Sequence, residues 1–216
     1  MLFEQTLSYA LAHQPDVWLA VRQHVSLSAA AIAIAILTCV PLGIWTARAR
    51  AGRSVVGFVT AARVVPSLAV LAFMLPISGV GYRSALVALI LLACPPILIN
   101  TDIAFRTIDP AIREAAVGMG MRNRELLKRV EYPLAFPIVI AGVRTGTIEV
   151  IASATLAAFI GGGGLGNFIL DGLANNDMRQ LLLGGLSVAL LALAAEATLG
   201  AVSYAAQRRY GRASRA

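Results

Sequence analysis

Apolar residues in this chain run in long blocks rather than alternating with polar ones, and five blocks approach the length of a bilayer crossing: 25–46, 55–77, 85–100, 137–160 and 181–206. A hydrocarbon core of about 30 Å takes roughly 20 helical residues. Backbone groups inside it must bond within their own segment, so each block predicts a helix. Pro41 predicts a bend in the first. The third is short and ends near Pro95 and Pro96, so its helix is expected to run past Asn100. The fold class read from this pattern is all-α and polytopic. It has an external segment 1–24, a membrane-spanning body 25–206 and a basic tail 207–216. Residues 1–20 carry Glu4, His13 and Asp16 without a long apolar run, which does not predict a cleavable signal peptide.

Composition agrees with the pattern. The chain is 58% hydrophobic and 13% charged, against about 45–50% and about 25% in ordinary soluble domains. Its net charge of +7 raises the question of nucleic acid, and the distribution of the bases answers it. Arg48, Arg50 and Arg53 follow the first block; Arg106, Arg113, Arg122, Arg124, Lys128 and Arg129 lie between the third and fourth; Arg208, Arg209, Arg212 and Arg215 follow the fifth. The alternate connections hold only Arg22, Arg83 and Arg179. The positive-inside rule then places the N-terminus outside and the C-terminus in the cytoplasm, with the bases as topology signals rather than a nucleic-acid surface. Histidine is limited to His13 and His24, and Cys39 and Cys94 match no metal or redox spacing and read as small buried apolar residues. No metal site and no catalytic constellation is expected.

The connection 101–136 is the most informative polar stretch. Asp109 is a good N-cap and Pro110 a good first helical residue, so a short helix is expected to follow. Gly118 or Gly120 is expected to stop it in a left-handed turn. A second helical stretch, 123–131, is expected to end at Pro133. From the residues alone this loop is either a docking element, whose small residues admit another backbone, or a solvated amphipathic loop.

The spacing Glu114-Ala115-Ala116, Gly120 after three residues, then Val130-Glu131-Tyr132-Pro133 after nine more, resembles the EAA loop of ABC-importer permeases. Val130 and Tyr132 stand where that motif carries Ile and Leu. The resemblance covers about residues 15–206. It extends to Pro66-Ser67-Leu68-Ala69, to Gly142-Val143-Arg144-Thr145, and to the stretch from Ala154 to Gly166. Together these look most like permeases of the osmoprotectant branch, which import glycine betaine, choline, carnitine or proline betaine. The resemblance implies a type I importer fold of the methionine-importer kind, a second permease, identical or paralogous, two ABC ATPases and an extracytoplasmic binding protein. ATP and magnesium would be bound by the ATPases, and this chain would hold no cofactor and perform no catalysis. Residues 111–120 would be the coupling helix, and Glu114, Ala115, Ala116, Gly118, Gly120 and Pro133 the ATPase-coupling residues, with Glu114 the polar anchor. The alternative is a methionine-type amino-acid importer sharing the same loop.

Gly161-Gly162-Gly163-Gly164-Leu165-Gly166 contains the letters of a dinucleotide fingerprint without the strand–turn–helix context that the fingerprint needs. Gly161, Gly164 and Gly166 read instead as bend and close-approach positions, or as a flexible connector, and the resemblance implies that they lie near the outer mouth as gate candidates. Arg63, Arg144 and Glu149 fall inside blocks, where ionisable groups mark pathway candidates. For the arginines, snorkelling is the competing reading. Pro66 joins this set as a gate candidate. Aromatic residues make up only 6% of the chain, and Trp18 and Trp45 sit near block ends as interface anchors. No aromatic cage is assembled, so recognition of a quaternary ammonium group would fall to the binding protein.

Overall fold

The structure, a computed structural model, describes residues 2–210, so Arg212 and Arg215 of the basic tail lie outside the described residues. The described residues form helices α1 (Leu2–Ala12), α2 (Gln14–Arg48), α3 (Gly52–Ala62), α4 (Ser67–Ser78), α5 (Tyr82–Arg106), α6 (Pro110–Gly118), α7 (Asn123–Leu126), α8 (Tyr132–Ser153), α9 (Gly166–Ala174) and α10 (Met178–Tyr210), with a π-turn at Leu127–Glu131 and a 3₁₀ turn at Leu156–Ile160. Four helical runs are long and apolar enough to cross a membrane: Gln14–Arg48, Tyr82–Arg106, Asn123–Ser153 and Met178–Ala206. A fifth crossing counts only if α3 and α4 are taken together as a bent pair.

Three expectations need correction. The block 55–77 is not one helix, because the chain breaks at residues 63–66. Pro66, at φ −60° and ψ 141°, lacks an N–H and disfavours helix at the residue before it. Second, helix does not end before Pro133: α7, the π-turn and α8 run as one from Asn123. A proline in an α-helix clashes with the carbonyl four residues back. The wider π-turn immediately before Tyr132 relieves that clash, so the helix passes the proline. Third, the block 137–160 loses its end, since α8 stops at Ser153 and a 3₁₀ turn follows. The first block begins earlier than expected, at Gln14, and the third extends to Arg106, as its shortness implied.

Packing divides the chain into two compact units. One comprises residues 1–34, 65–93 and 147–196. Its core joins Ala20, Ile151, Leu165 and Val188, with Phe168 and Leu191 packed against them. Here Asp177 starts α10, its Oδ1 accepting from the Arg179 N–H at 2.9 Å. Among the described residues the other unit comprises 35–64, 94–146 and 197–210, and is built around Ala104, Phe105, Ile108, Ala135 and Val139. Its helices approach through small residues, as membrane helices do where packing rather than water exclusion drives association. A Cβ on Gly142 would lie 2.6 Å from Asn100 Cβ and 2.8 Å from the Pro96 carbonyl oxygen.

Candidate functional site

The connection between α5 and α8 folds as the local signals require. Asp109 Oδ1 accepts from the Ala111 N–H at 2.9 Å, and Pro110 occupies the first turn, where its missing donor costs nothing. The helix closes with a Schellman arrangement: Met121 N donates to Ala116 O at 3.2 Å, Gly120 N donates to Val117 O at 2.9 Å, and Gly120 takes φ +83°. Between these caps α6 divides into two faces. Ala116 is buried, Ile112 and Arg113 are half-buried, and Glu114, Ala115, Val117 and Gly118 face outward. Val117 is 56% and Met119 71% exposed, an apolar strip beside the Glu114 carboxylate. Pro133, half-buried, sits in the first turn of α8.

Beneath α6 lies a charged network that sequence reasoning missed. Glu131, 2% exposed, accepts from Arg113 Nε at 2.7 Å and from the Arg48 guanidinium. The second arm of Arg113 donates to the Phe105 carbonyl at 2.5 Å. Alongside, Arg106 forks onto the buried Asp102 at 2.7 and 3.0 Å and donates to the Thr46 carbonyl at 3.0 Å. A cleft of about 390 Å³ opens beside Glu131, lined by Ala47, Arg48, Arg113, Asn123 and Leu126. Both buried carboxylates are thus met by arginine, Asp102 by the fork of Arg106 and Glu131 by single bonds from Arg113 and Arg48, pairings in which a charge is tolerated away from water. The Asp102–Arg106 pair was legible from its four-residue helical spacing. The Glu131 contacts join residues 18 and 83 positions away, for which the chain carries no local signal.

The glycine run is a fixed turn. Gly161, Gly163 and Gly164 take φ +72°, +74° and +89°. Gly164 N donates to Gln23 Oε1 at 3.1 Å. His24, 1% exposed, sets its Nε2 3.1 Å from the Ile151 carbonyl, which can only accept, so the ring N–H donates. A Cβ on Gly164 would meet His24 Cβ at 3.2 Å. Gly161 lies against Val80, and Gly166 opens α9 packed on the Thr155 carbonyl. The bend and close-approach reading of these positions therefore matches their geometry.

The in-span charges fall at the α3–α4 break and on α8. Arg63 and Pro66 are exposed at the break between α3 and α4. Arg144 is half-buried on α8, its guanidinium carbon 3.7 Å from where a Cβ of Gly200 would stand on α10. Glu149 is half-buried farther along α8. Cys39 and Cys94 are free, but they are not separate core residues: their Sγ atoms lie 2.6 Å apart, a juxtaposition invisible at 55 residues of separation.

Residues 39–215 match the family described as the binding-protein-dependent transport system inner membrane component. The chain is 44% identical over 184 residues to the carnitine transport permease protein OpuCB of Listeria monocytogenes, the match covering 84% of each. It is 42% identical over 172 residues to the glycine betaine/carnitine/choline transport system permease protein OpuCB of Bacillus subtilis, covering 79% of each. Its fold is similar to a chain of the inward-facing MetNI methionine ABC transporter, with a TM-score of 0.78 over 89% of this chain and 97% of that one at 18% identity. A capped helix with the Glu-Ala-Ala spacing, set among membrane-crossing helices and matched over most of the length, leads to one conclusion: the chain belongs to the family of inner membrane components of binding-protein-dependent ABC transport systems.

Proposed function

We propose that this chain is the permease that carries a small osmoprotectant of the betaine, carnitine or choline kind into the cell, and that α6 is the element through which an ATPase drives it. As a family member it is a multi-pass transport subunit of the inner membrane, not an enzyme, and it works with a separate ATPase and a solute-binding protein. The substrate class rests on the relatives named for carnitine, glycine betaine and choline. The methionine-type alternative has only a likeness of fold at 18% identity behind it.

The observation that carries the coupling role is the two-faced α6. Its inner face is anchored by Ala116 and Arg113, and its outer face exposes Glu114, Ala115 and Val117. Small residues let the ATPase surface approach, and Glu114 accepts a charge-assisted bond from a basic group there. Two copies of such a permease, or this chain with a paralogue, would stand over two ATPases. ATP and magnesium would be held by the ATPases alone, and closure of those subunits would draw the coupling helices together and alternate the access of the pathway. Arg63, Pro66, Arg144, Glu149 and the turn at Gly161, Gly164 and Gly166 remain its pathway and gate candidates.

Reconstitution with the cognate ATPase and binding protein tests this. Hydrolysis is expected to rise with glycine betaine, choline or carnitine and to stay flat with methionine. Glu114→Arg is expected to abolish retention of the ATPase on the purified permease. Stimulation by methionine alone would overturn the substrate class, and full ATPase retention by Glu114→Arg the docking role.

The same reading places the N-terminus outside and α6 in the cytoplasm. In a background lacking Cys39 and Cys94, Asn176→Cys is expected to react with a membrane-impermeant maleimide on intact cells, and Arg124→Cys only after permeabilisation. Both side chains are exposed, so the reverse pattern would invert the topology.

A further inference from the structure

We infer that Glu131 is the joint that makes the coupling helix move with the membrane helices. The inference rests on the docking of α6 proposed above and assigns a positioning role to a residue outside the Glu-Ala-Ala positions.

Little else holds α6. It has nine residues and is tied to its neighbours in sequence by the short loops 107–109 and 119–122. Ala116 is its one fully buried side chain. A methyl group of that size resists sliding weakly, since each atom contact contributes little. A push on α6 would be absorbed by those loops unless a directional contact passed it on. Glu131 supplies that contact. One carboxylate oxygen takes Arg113 Nε of α6 at 2.7 Å, and the other takes the guanidinium of Arg48 in the last turn of α2. Arg113 reaches on to the Phe105 carbonyl near the end of α5 at 2.5 Å. Glu131 itself closes the π-turn that runs into α8. Four helices therefore converge on one buried carboxylate. The neighbouring Arg106 fork to Asp102 and the Thr46 carbonyl braces α5 against α2, so the frame that receives the motion is stiff. Two oxygens with two arginine donors fix direction as well as distance, which an apolar contact does not. The cleft beside this joint leaves Arg48 and Arg113 part-exposed, so the arginines can pivot while the carboxylate stays fixed.

Glu131→Gln tests the joint because it keeps the shape while turning one acceptor into an N–H₂ group that cannot receive an arginine donor. In the reconstituted complex the ATPase is expected to co-purify as with the unaltered chain, because the Glu114 face is untouched. Substrate carried per ATP hydrolysed is expected to fall about tenfold, within the ordinary range of a coupling free energy. Arg113→Gln should show the same signature, and Arg113→Glu with Glu131→Arg should recover at least part of the coupling. Three results would overturn the inference: Glu131→Gln with an unchanged transport-to-hydrolysis ratio; loss of ATPase retention in Glu131→Gln, which would make the residue part of the docking shape; or a folded charge-swap pair as uncoupled as the single variants. If Glu131→Gln fails to accumulate, Glu131→Leu decides, since it removes the buried anion and leaves two part-exposed cations that can turn to water. Failure of the docking reading is seen separately, as undiminished ATPase retention by Glu114→Arg.

Discussion

Gly164→Val is expected to lower the unfolding midpoint of the purified chain and to stop uptake, while Gly185→Ala on α10 leaves both nearly unchanged. Gly164 sits at φ +89°, where an L side chain costs about 1–2 kcal/mol. The added Cβ would meet His24 Cβ at 3.2 Å, and Cα and Nδ1 at 3.3 Å. His24 cannot step aside: it is 1% exposed, and its ring is tied to the Ile151 carbonyl at 3.1 Å. Overpacking of that kind adds about 1–3 kcal/mol, so the total is about 2–5 kcal/mol, a large part of the stability of an ordinary fold. The strain falls where Gln23 of α2 and the turn before α9 are stitched together across 141 residues, which makes loss of transport the natural companion of lost stability. Gly185 has nothing within 4 Å of a built Cβ, and replacing a helical glycine with alanine is neutral to favourable by up to about 1 kcal/mol. Thermal unfolding followed by circular dichroism, with uptake on the same variants, decides; equal midpoints for the two variants would refute the packing argument.

What could be foreseen along the chain was whatever is written locally. Asp109-Pro110 and Gly120 announce the two ends of α6 because capping depends on residues within one turn. The crossing helices are legible because hydrocarbon leaves the backbone no other option. The misses share a cause. At residues 63–66 the apolar character continues through a backbone break, so hydropathy reports a span where Pro66 enforces a turn. At Pro133 the opposite error arises, since a π-turn absorbs the proline and the helix continues. Arg48 and Arg113 count among the bases that mark orientation, and they serve that count equally well when paired with the buried Glu131. Charge alone does not say which way a side chain turns. Cys39 and Cys94 were judged by spacing, a criterion blind to two helices meeting.

The Glu131 network also carries the sharpest energetic expectation, because its members are unequally buried. The side chains of Arg48 and Arg113 are 47% and 32% exposed, whereas that of Glu131 is 3% exposed. Removing the anion frees two cations that can turn to water, so Glu131→Leu is expected to cost no more than about 1 kcal/mol, the scale of a part-exposed ion pair. Removing one cation is worse. Arg113→Met leaves the buried carboxylate with Arg48 alone and takes the donor from the Phe105 carbonyl. The expected cost is about 3 kcal/mol, the lower end for stranding one half of a buried pair because Arg113 is itself part-exposed. With the anion gone the cation has nothing left to neutralise, so Arg113→Met combined with Glu131→Leu should cost little more than Glu131→Leu alone. Denaturant or thermal unfolding of the three variants closes the double-mutant cycle, with an expected coupling of about 3 kcal/mol. If Glu131→Leu proves more damaging than Arg113→Met, the carboxylate is not the desolvated member of the network, and the order of costs argued from burial fails.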